Sequence, residues 1–225
     1  MPQDPDLVQR YLKQTQELFG DTLYLDKCVH IQPELDLVPG AEMSLSSYHD
    51  QIKHCQKCEL GSTRNHFVFG DGNENADLVF VGEAPGKQED LLGIPFVGRA
   101  GKLLDNILRA IDLERSDIYI CNVLKCRPPN NRDPLAGEIE LCEPYLQTQL
   151  ELIKPKVIIT LGRIAARTLL RLDLPLGKMR NNTYKYHGID TVVTYHPAAL
   201  LRNPNFKKPA WEDFQRIRDT YLLNS

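Results

Sequence analysis

Four runs of apolar residues, Leu78-Val79-Phe80-Val81, Ile118-Tyr119-Ile120-Cys121, Val157-Ile158-Ile159 and Val192-Val193, recur through the chain with helical patterns between them. A strand apolar on both sides must lie in a sheet covered on both faces, and strands that alternate with helices run parallel. The expected fold is therefore α/β, a three-layer α/β/α sandwich around a central four-stranded parallel sheet. We expect the strands near residues 77–82, 118–123, 157–161 and 189–195. The first intervening helix, over about 99–112, would present Leu103, Leu104, Ile107, Leu108 and Ile111 on one face. A longer helix would start at Asp133 as N-cap with Pro134 in its first position, run to about Ile153 and end before Pro155. Gly162 leads into a helix carrying Ile164, Ala165, Thr168 and Leu169. An edge hairpin and the fourth strand follow, then a last helix over about 209–223.

Upstream of this alternation, Leu7/Val8, Tyr11/Leu12 and Leu18/Phe19 recur at helical spacing, whereas residues 26–47 carry Pro33, Pro39 and Gly40 without a period. This divides the chain into residues 1–47, an amphipathic helix and linker, and residues 48–225, the α/β domain. With 225 residues and 42% hydrophobic content, one sizeable core can form. No apolar run approaches the roughly 18 residues that span a bilayer. The start Met1-Pro2-Gln3-Asp4 lacks a signal-peptide pattern. A cytoplasmic protein without membrane contact is expected, and its six cysteines are read first as thiols or metal ligands.

The net charge of −3 argues by itself against a nucleic-acid partner. Its distribution argues otherwise: residues 151–225 hold thirteen Lys/Arg against six Asp/Glu, while residues 1–47 hold three against eight. A local basic excess suits a phosphate-facing surface, because Lys and Arg displace condensed counterions there. An ordinary solvated basic half would show the same excess.

Polar motifs follow the strands. Gly82-Glu83-Ala84-Pro85-Gly86 comes after the first, Asn122 ends the second, and His196-Pro197-Ala198-Ala199-Leu200-Leu201-Arg202 comes after the fourth. The carboxyl ends of parallel strands are where open α/β sheets bind ligands, so these segments are expected to share one pocket. Cys55 and Cys58 precede the first strand, Cys126 closes the second, and Cys142 sits in the helix that follows. Four such thiolates suit either zinc or an iron–sulfur cluster, and spacing does not separate the two. Cys28, in the linker, reads as a surface thiol, and Cys121, within a strand, as a core thiol.

Over roughly residues 48–220 the chain resembles the family-4 uracil-DNA glycosylases of the uracil-DNA glycosylase superfamily. The matching segments are Gly82–Gly86 with Glu89-Asp90, Pro95–Gly101, Asn122–Pro129, Cys142 near Gln149-Leu150-Glu151, and Tyr195–Pro204. The first 45 residues lie outside the resemblance. It implies a [4Fe-4S] cluster on Cys55, Cys58, Cys126 and Cys142, and an enzyme of base excision repair that flips uracil out of double- or single-stranded DNA and hydrolyses its N-glycosidic bond.

Under that resemblance the Asn122 amide would donate to uracil O4 and accept from N3–H, a pattern cytosine reverses. Phe96 would stack on the base, with Gly82 and Ala84 forming the pocket wall. His196 is the donor to the charge developing on O2, as a neutral imidazole. In better-known branches an acidic residue occupies the place of Ala84, so the nearest carboxylate, Glu83, would orient water or stabilise the sugar cation. Backbone carbonyls holding the water are the alternative. Glu89 would shape the pocket and exclude the 5-methyl of thymine. Leu200, in preference to Leu201, would wedge into the base stack. Arg202, Arg127, Lys125 and Arg99 would contact phosphates, and the Asn130-Asn131 turn would do so through amides.

Two other functions share these residues. A relative that traps uracil-DNA covalently uses a histidine in a basic insert, but Lys87–Phe96 contains no histidine and one basic residue. A non-catalytic iron–sulfur DNA-binding accessory protein would need neither Asn122 nor His196. We expect a monomer. The acidic residues 1–47 could dock a replication or repair partner or cover the body.

Overall fold

The computed structural model describes residues 43–223. Its sheet has six strands in the order β1-β3-β2-β4-β6-β5, namely β1 Asp71–Gly72, β2 Leu78–Gly82, β3 Tyr119–Asn122, β4 Val157–Leu161, β5 Thr183–Tyr186 and β6 Ile189–Thr194. The inner four pair in parallel, with Gly82 opposite Asn122 and Leu161 opposite Thr194. The edge strands β1 and β5 pair antiparallel with β3 and β6. The sheet is thus mixed and six-stranded, where the apolar runs predicted four parallel strands. The edge strand β1 escaped that prediction because it is two residues long and carries no apolar run, whereas β5 falls where the edge hairpin was expected.

Helices cover both faces. On one side Val79, Val81, Cys121 and Ile158 pack against α5 (Ala136–Ile153) through Leu146, Leu150 and Ile153, and Leu45 and Tyr48 of α1 (Leu45–Ile52) join them. On the other, Leu78, Phe80, Ile120 and Ile159 meet Leu104 and Leu108 of α4 (Arg99–Arg109) and Phe214 and Ile217 of α9 (Lys207–Tyr221). Phe80 and Phe214 stack with centroids 6.1 Å apart. Each fully buried side chain of this kind contributes roughly 1.5–3 kcal/mol over its exposed state. The remaining helices are short: α2 Leu60–Thr63, α3 Lys87–Leu92, α6 Arg163–Leu170, α7 Leu176–Met179 and α8 Pro197–Arg202.

One helix boundary differs from expectation. The helix predicted from Asp133 begins at Ala136, with Leu135 as N-cap and the Glu138 carboxylate accepting from the Leu135 N–H at 2.8 Å. Asp133 is instead held outside the helix, among the strand-end loops. The helix α1, capped by Ser44, begins at Leu45. The helix expected in residues 1–25 and the linker thiol Cys28 lie outside the described residues. Among the described residues no helix is long and apolar enough to cross a membrane.

Candidate active site

The parallel pairing of β2 and β3 continues beyond the strands. The Val123 N–H donates to the Gly82 carbonyl and the Leu124 N–H to the Glu83 carbonyl, both at 3.0 Å. This holds Glu83 and Asn122 side by side. At the neighbouring pair of ends the Gly162 N–H donates to the Thr194 carbonyl at 2.9 Å, which sets Gly162-Arg163 next to Tyr195-His196. All four inner strands therefore open into one cavity of about 740 Å³, lined among others by Glu83, Ala84, Glu89, Phe96, Asn122 and His196.

Asn122 carries the main polar signal of this cavity. It is 2% exposed, yet its Oδ1 has no hydrogen-bond partner among the described residues. A buried acceptor left unpaired costs about 1–3 kcal/mol, so such an atom points to a ligand that completes it. Gly82 makes room around it: a Cβ there would overlap both the Asn122 Oδ1 and the tip of the Phe96 ring.

Phe96 adopts a positive φ of 54°, a conformation that costs a non-glycine residue roughly 1–3 kcal/mol. Both sides of its loop are clamped. Glu89 Oε1 accepts from the Val97 and Gly98 N–H groups at 3.1 and 2.9 Å. From behind, the Arg115 guanidinium donates to the Pro95 carbonyl at 3.1 Å and to the Phe96 carbonyl, and it pairs with Asp105 at 2.8 Å. Gly101 lets α4 approach this carbonyl, since a Cβ there would collide with it.

His196 stands beside Phe96, with ring centroids 5.4 Å apart. Its Nδ1 accepts from the Ala198 N–H at 3.1 Å. Accepting at Nδ1 leaves the ring proton on Nε2, so the imidazole is a neutral donor. Burial, assisted by the nearby Arg202 charge, pushes its pKa down to about 4. Glu83 moves the other way: burial and the Asp133 carboxylate push its pKa up to about 7, opposed by Arg163. One strand end thus supplies a carboxylate poised near neutrality, and another supplies an imidazole that stays uncharged.

Asn131 and Arg202 also line the cavity. Asn131 has a φ of 54°, and its Oδ1 accepts from Arg127 Nε at 2.7 Å. Two expectations fail. Leu200 is 2% exposed, on the inner face of α8, whereas Leu201 is 41% exposed. Lys125 reaches no surface: it is fully buried, and its ammonium donates to the Asn122 carbonyl at 2.8 Å and to Gln149 Oε1. The strand-end logic, applied to Leu161, would have found Gly162 and Arg163. Arg132, Asp133 and Phe206 come to the cavity only through tertiary packing.

The cysteines converge away from the cavity. Cys126 and Cys142 belong to the core on the α5 side, and Cys55 and Cys58 pack against it, all four as free thiols. Three of the sulfurs accept from a nearby donor. Arg64 donates to Cys126 Sγ at 3.2 Å, the Lys125 N–H to Cys142 Sγ at 3.3 Å, and the Tyr145 hydroxyl to Cys55 Sγ at 3.1 Å. Arg64 also binds the Cys55 and Lys53 carbonyls at 2.7 and 2.9 Å, a staple that sequence reasoning missed. Among the described residues no three His, Cys, Asp or Glu side chains close on a geometry that would hold a single metal ion. Cys121 is fully buried in β3, as expected of a core thiol.

Comparison with known proteins agrees with this architecture. Residues 69–215 match the family model of the uracil DNA glycosylase superfamily. A type-4 uracil-DNA glycosylase of Archaeoglobus fulgidus is 47% identical over 182 residues, covering 77% of this chain and 92% of that protein. Two proteins of Pyrobaculum aerophilum separate the branches. Its type-4 uracil-DNA glycosylase is 44% identical over 72% of this chain and 87% of its own length, and its type-5 uracil-DNA glycosylase 29% over 71% and 77%. The chain belongs to the type-4 branch of the uracil DNA glycosylase superfamily.

Proposed function

We propose that this protein excises uracil from DNA by hydrolysing the N-glycosidic bond, leaving an abasic site and free uracil. The observation that carries this reading is the unpartnered Oδ1 of buried Asn122, facing a cavity that Gly82 keeps clear and Phe96 walls. A flipped uracil supplies the N3–H that completes this acceptor, and its O4 takes the amide donor. Cytosine offers an acceptor where Oδ1 needs a donor. It would leave buried polar groups unpaired, the kind of mismatch that gives strong discrimination.

Bond cleavage places negative charge on uracil O2 and positive charge on the sugar. The Nε2–H of neutral His196 donates to the first, and a preorganised donor of this sort contributes roughly 100- to 1,000-fold. Glu83, ionised above about pH 7, lies at the end of β2 to stabilise the sugar cation and orient the water that attacks C1′. Glu89 acts through the Phe96 loop, whose amides it binds. Arg202, Asn131 and Arg99 would meet phosphates, and the wedge role passes from buried Leu200 to exposed Leu201.

Cys55, Cys58, Cys126 and Cys142 would hold a [4Fe-4S] cluster. Four free thiols, three of them accepting from N–H or O–H donors, fit such a group, whose iron and sulfide atoms separate its ligands more widely than one zinc ion does. When bound, the cluster would tie the segment before β1 to the end of β3 and to α5. The direct test is chromatography of the products from a uracil-containing oligonucleotide. Release of free uracil with an intact phosphodiester chain is expected. Release of deoxyuridine or its phosphate would show a different reaction.

A further inference from the structure

The cavity has a second aromatic feature that uracil recognition does not use. Tyr195 and Phe206 both line it, and their rings stack with centroids 4.5 Å apart and planes 11° from parallel. The Arg180 guanidinium also lies over the Tyr195 ring, 5.0 Å from its centroid, fixed by paired contacts to buried Asp213 at 2.7 and 2.9 Å. Asp213 in turn accepts from the Thr194 hydroxyl at 2.7 Å, so the column is anchored to the end of β6. Neither ring belongs to a hydrophobic core cluster of the described residues, and Phe206 is half-buried at the cavity wall. Exposed Lys207 and Lys208 follow it directly, and exposed Arg202 precedes it on α8.

We propose that Phe206 is the outermost plate of this column and stacks the nucleobase adjacent to the flipped uracil on the same DNA strand. Arg202, Lys207 and Lys208 are placed to meet the phosphates on either side. The inference rests on the uracil-excision reading, because the neighbouring base is brought here by the nucleotide held in the cavity. An ordered column ending at a charged rim is the construction by which proteins bind single-stranded nucleic acid, one aromatic face per base. Duplex DNA keeps the neighbouring base stacked on its own partner, so Phe206 should matter most on single strands.

The test uses single-stranded uracil oligonucleotides that are either fully based or carry a tetrahydrofuran abasic residue on the 5′ or the 3′ side of the uracil. Wild type, Phe206→Ala and Phe206→Leu are compared in kcat/KM. For wild type, one of the two abasic neighbours should lower kcat/KM by roughly 5- to 150-fold, the range for losing one stacked base. Both variants should show that loss on the fully based strand and no further loss on the abasic one. Full activity in Phe206→Leu would show that bulk suffices and overturn the stacking role. So would variants as sensitive to the abasic neighbour as wild type. A wild type that cleaves no uracil strand at all would overturn the excision reading and this subsite together.

Discussion

The ammonium of Lys125 donates to the backbone carbonyl of Asn122 at 2.8 Å, from a position with no exposure to solvent. The same residue's N–H donates to Cys142 Sγ, so one side chain and one amide link Cys142 to the residue whose unpaired Oδ1 lines the cavity. Gln149 completes the arrangement by accepting from Lys125 and donating to the Phe69 carbonyl at 3.0 Å. Replacing Lys125 with Met would leave the Asn122 carbonyl and Gln149 Oε1 without their donor, at about 1–3 kcal/mol each. Lys125→Met should lose several degrees of thermal stability. It should also excise uracil about 10- to 100-fold more slowly in single turnover, because small misplacements of a positioning group cost that much. Affinity for abasic product DNA, measured by anisotropy, should stay within about threefold of wild type. Unchanged excision would show that Lys125 only fills space.

The pH dependence should come from Glu83 and not from His196. With its pKa at about 4, His196 is neutral throughout the range in which the enzyme would be assayed. Glu83, at about 7, gains its charge as pH rises through neutrality. The single-turnover rate should therefore rise with pH to a plateau, with an inflection near 7, and Glu83→Gln should give a flat profile at a lower level. Stability responds in the opposite direction. Folding raises the Glu83 pKa from 4.5, so its stabilising contribution is full below 4.5 and is lost as pH rises through about 7. Glu83→Gln should then raise the melting temperature at pH 8 by about 2–4 °C, the response to about 1 kcal/mol in a domain of this size, after discounting for partial exposure.

The two leucines of α8 should separate cleanly. Leu201→Ala should slow excision from duplex DNA more than from single strands, since only a duplex needs its gap held open. Leu200→Ala should instead lower stability by about 2–5 kcal/mol, as expected for a truncated core leucine, and affect both substrates alike. Thermal melts together with paired duplex and single-strand rates distinguish the outcomes. Equal losses on both substrates for Leu201→Ala would remove the wedge.

What was legible in the sequence follows from how locally each feature is encoded. The inner strands and the convergence of Glu83, Asn122 and His196 could be read because apolar runs and strand-end motifs are contiguous. The two-residue β1 could not, since Asp71-Gly72 becomes a strand only by pairing with Tyr119-Ile120. The preference for Leu200 over Leu201 had no basis in adjacent apolar residues, and α8 turns Leu200 inward and Leu201 outward. Lys125 looked like a phosphate contact because lysine is seldom buried; its partners, Asn122 and Gln149, were visible only in three dimensions. The helix start moved from Asp133 to Ala136 because Glu138, one turn inside, supplies the cap.

The cysteine assignment has a spectroscopic consequence. Protein purified without oxygen should be brown, with broad visible absorption and about four irons per chain, and Cys55→Ala or Cys142→Ala should lose both colour and thermal stability. A colourless, zinc-loaded protein would contradict the cluster.

The central claim is that the cavity at the strand ends removes uracil. Its most direct measurement is strand cleavage by hot alkali after incubating a single-uracil oligonucleotide with wild type or with Gly82→Ala. The added Cβ of that variant would occupy the space beside Asn122 Oδ1 and Phe96. Wild type should yield a single alkali-labile abasic site at the uracil and none on the matching thymine or cytosine strand. Gly82→Ala, folded by circular dichroism, should be slower by 100-fold or more. No alkali-labile product from wild type, or an undiminished rate in Gly82→Ala, would contradict it.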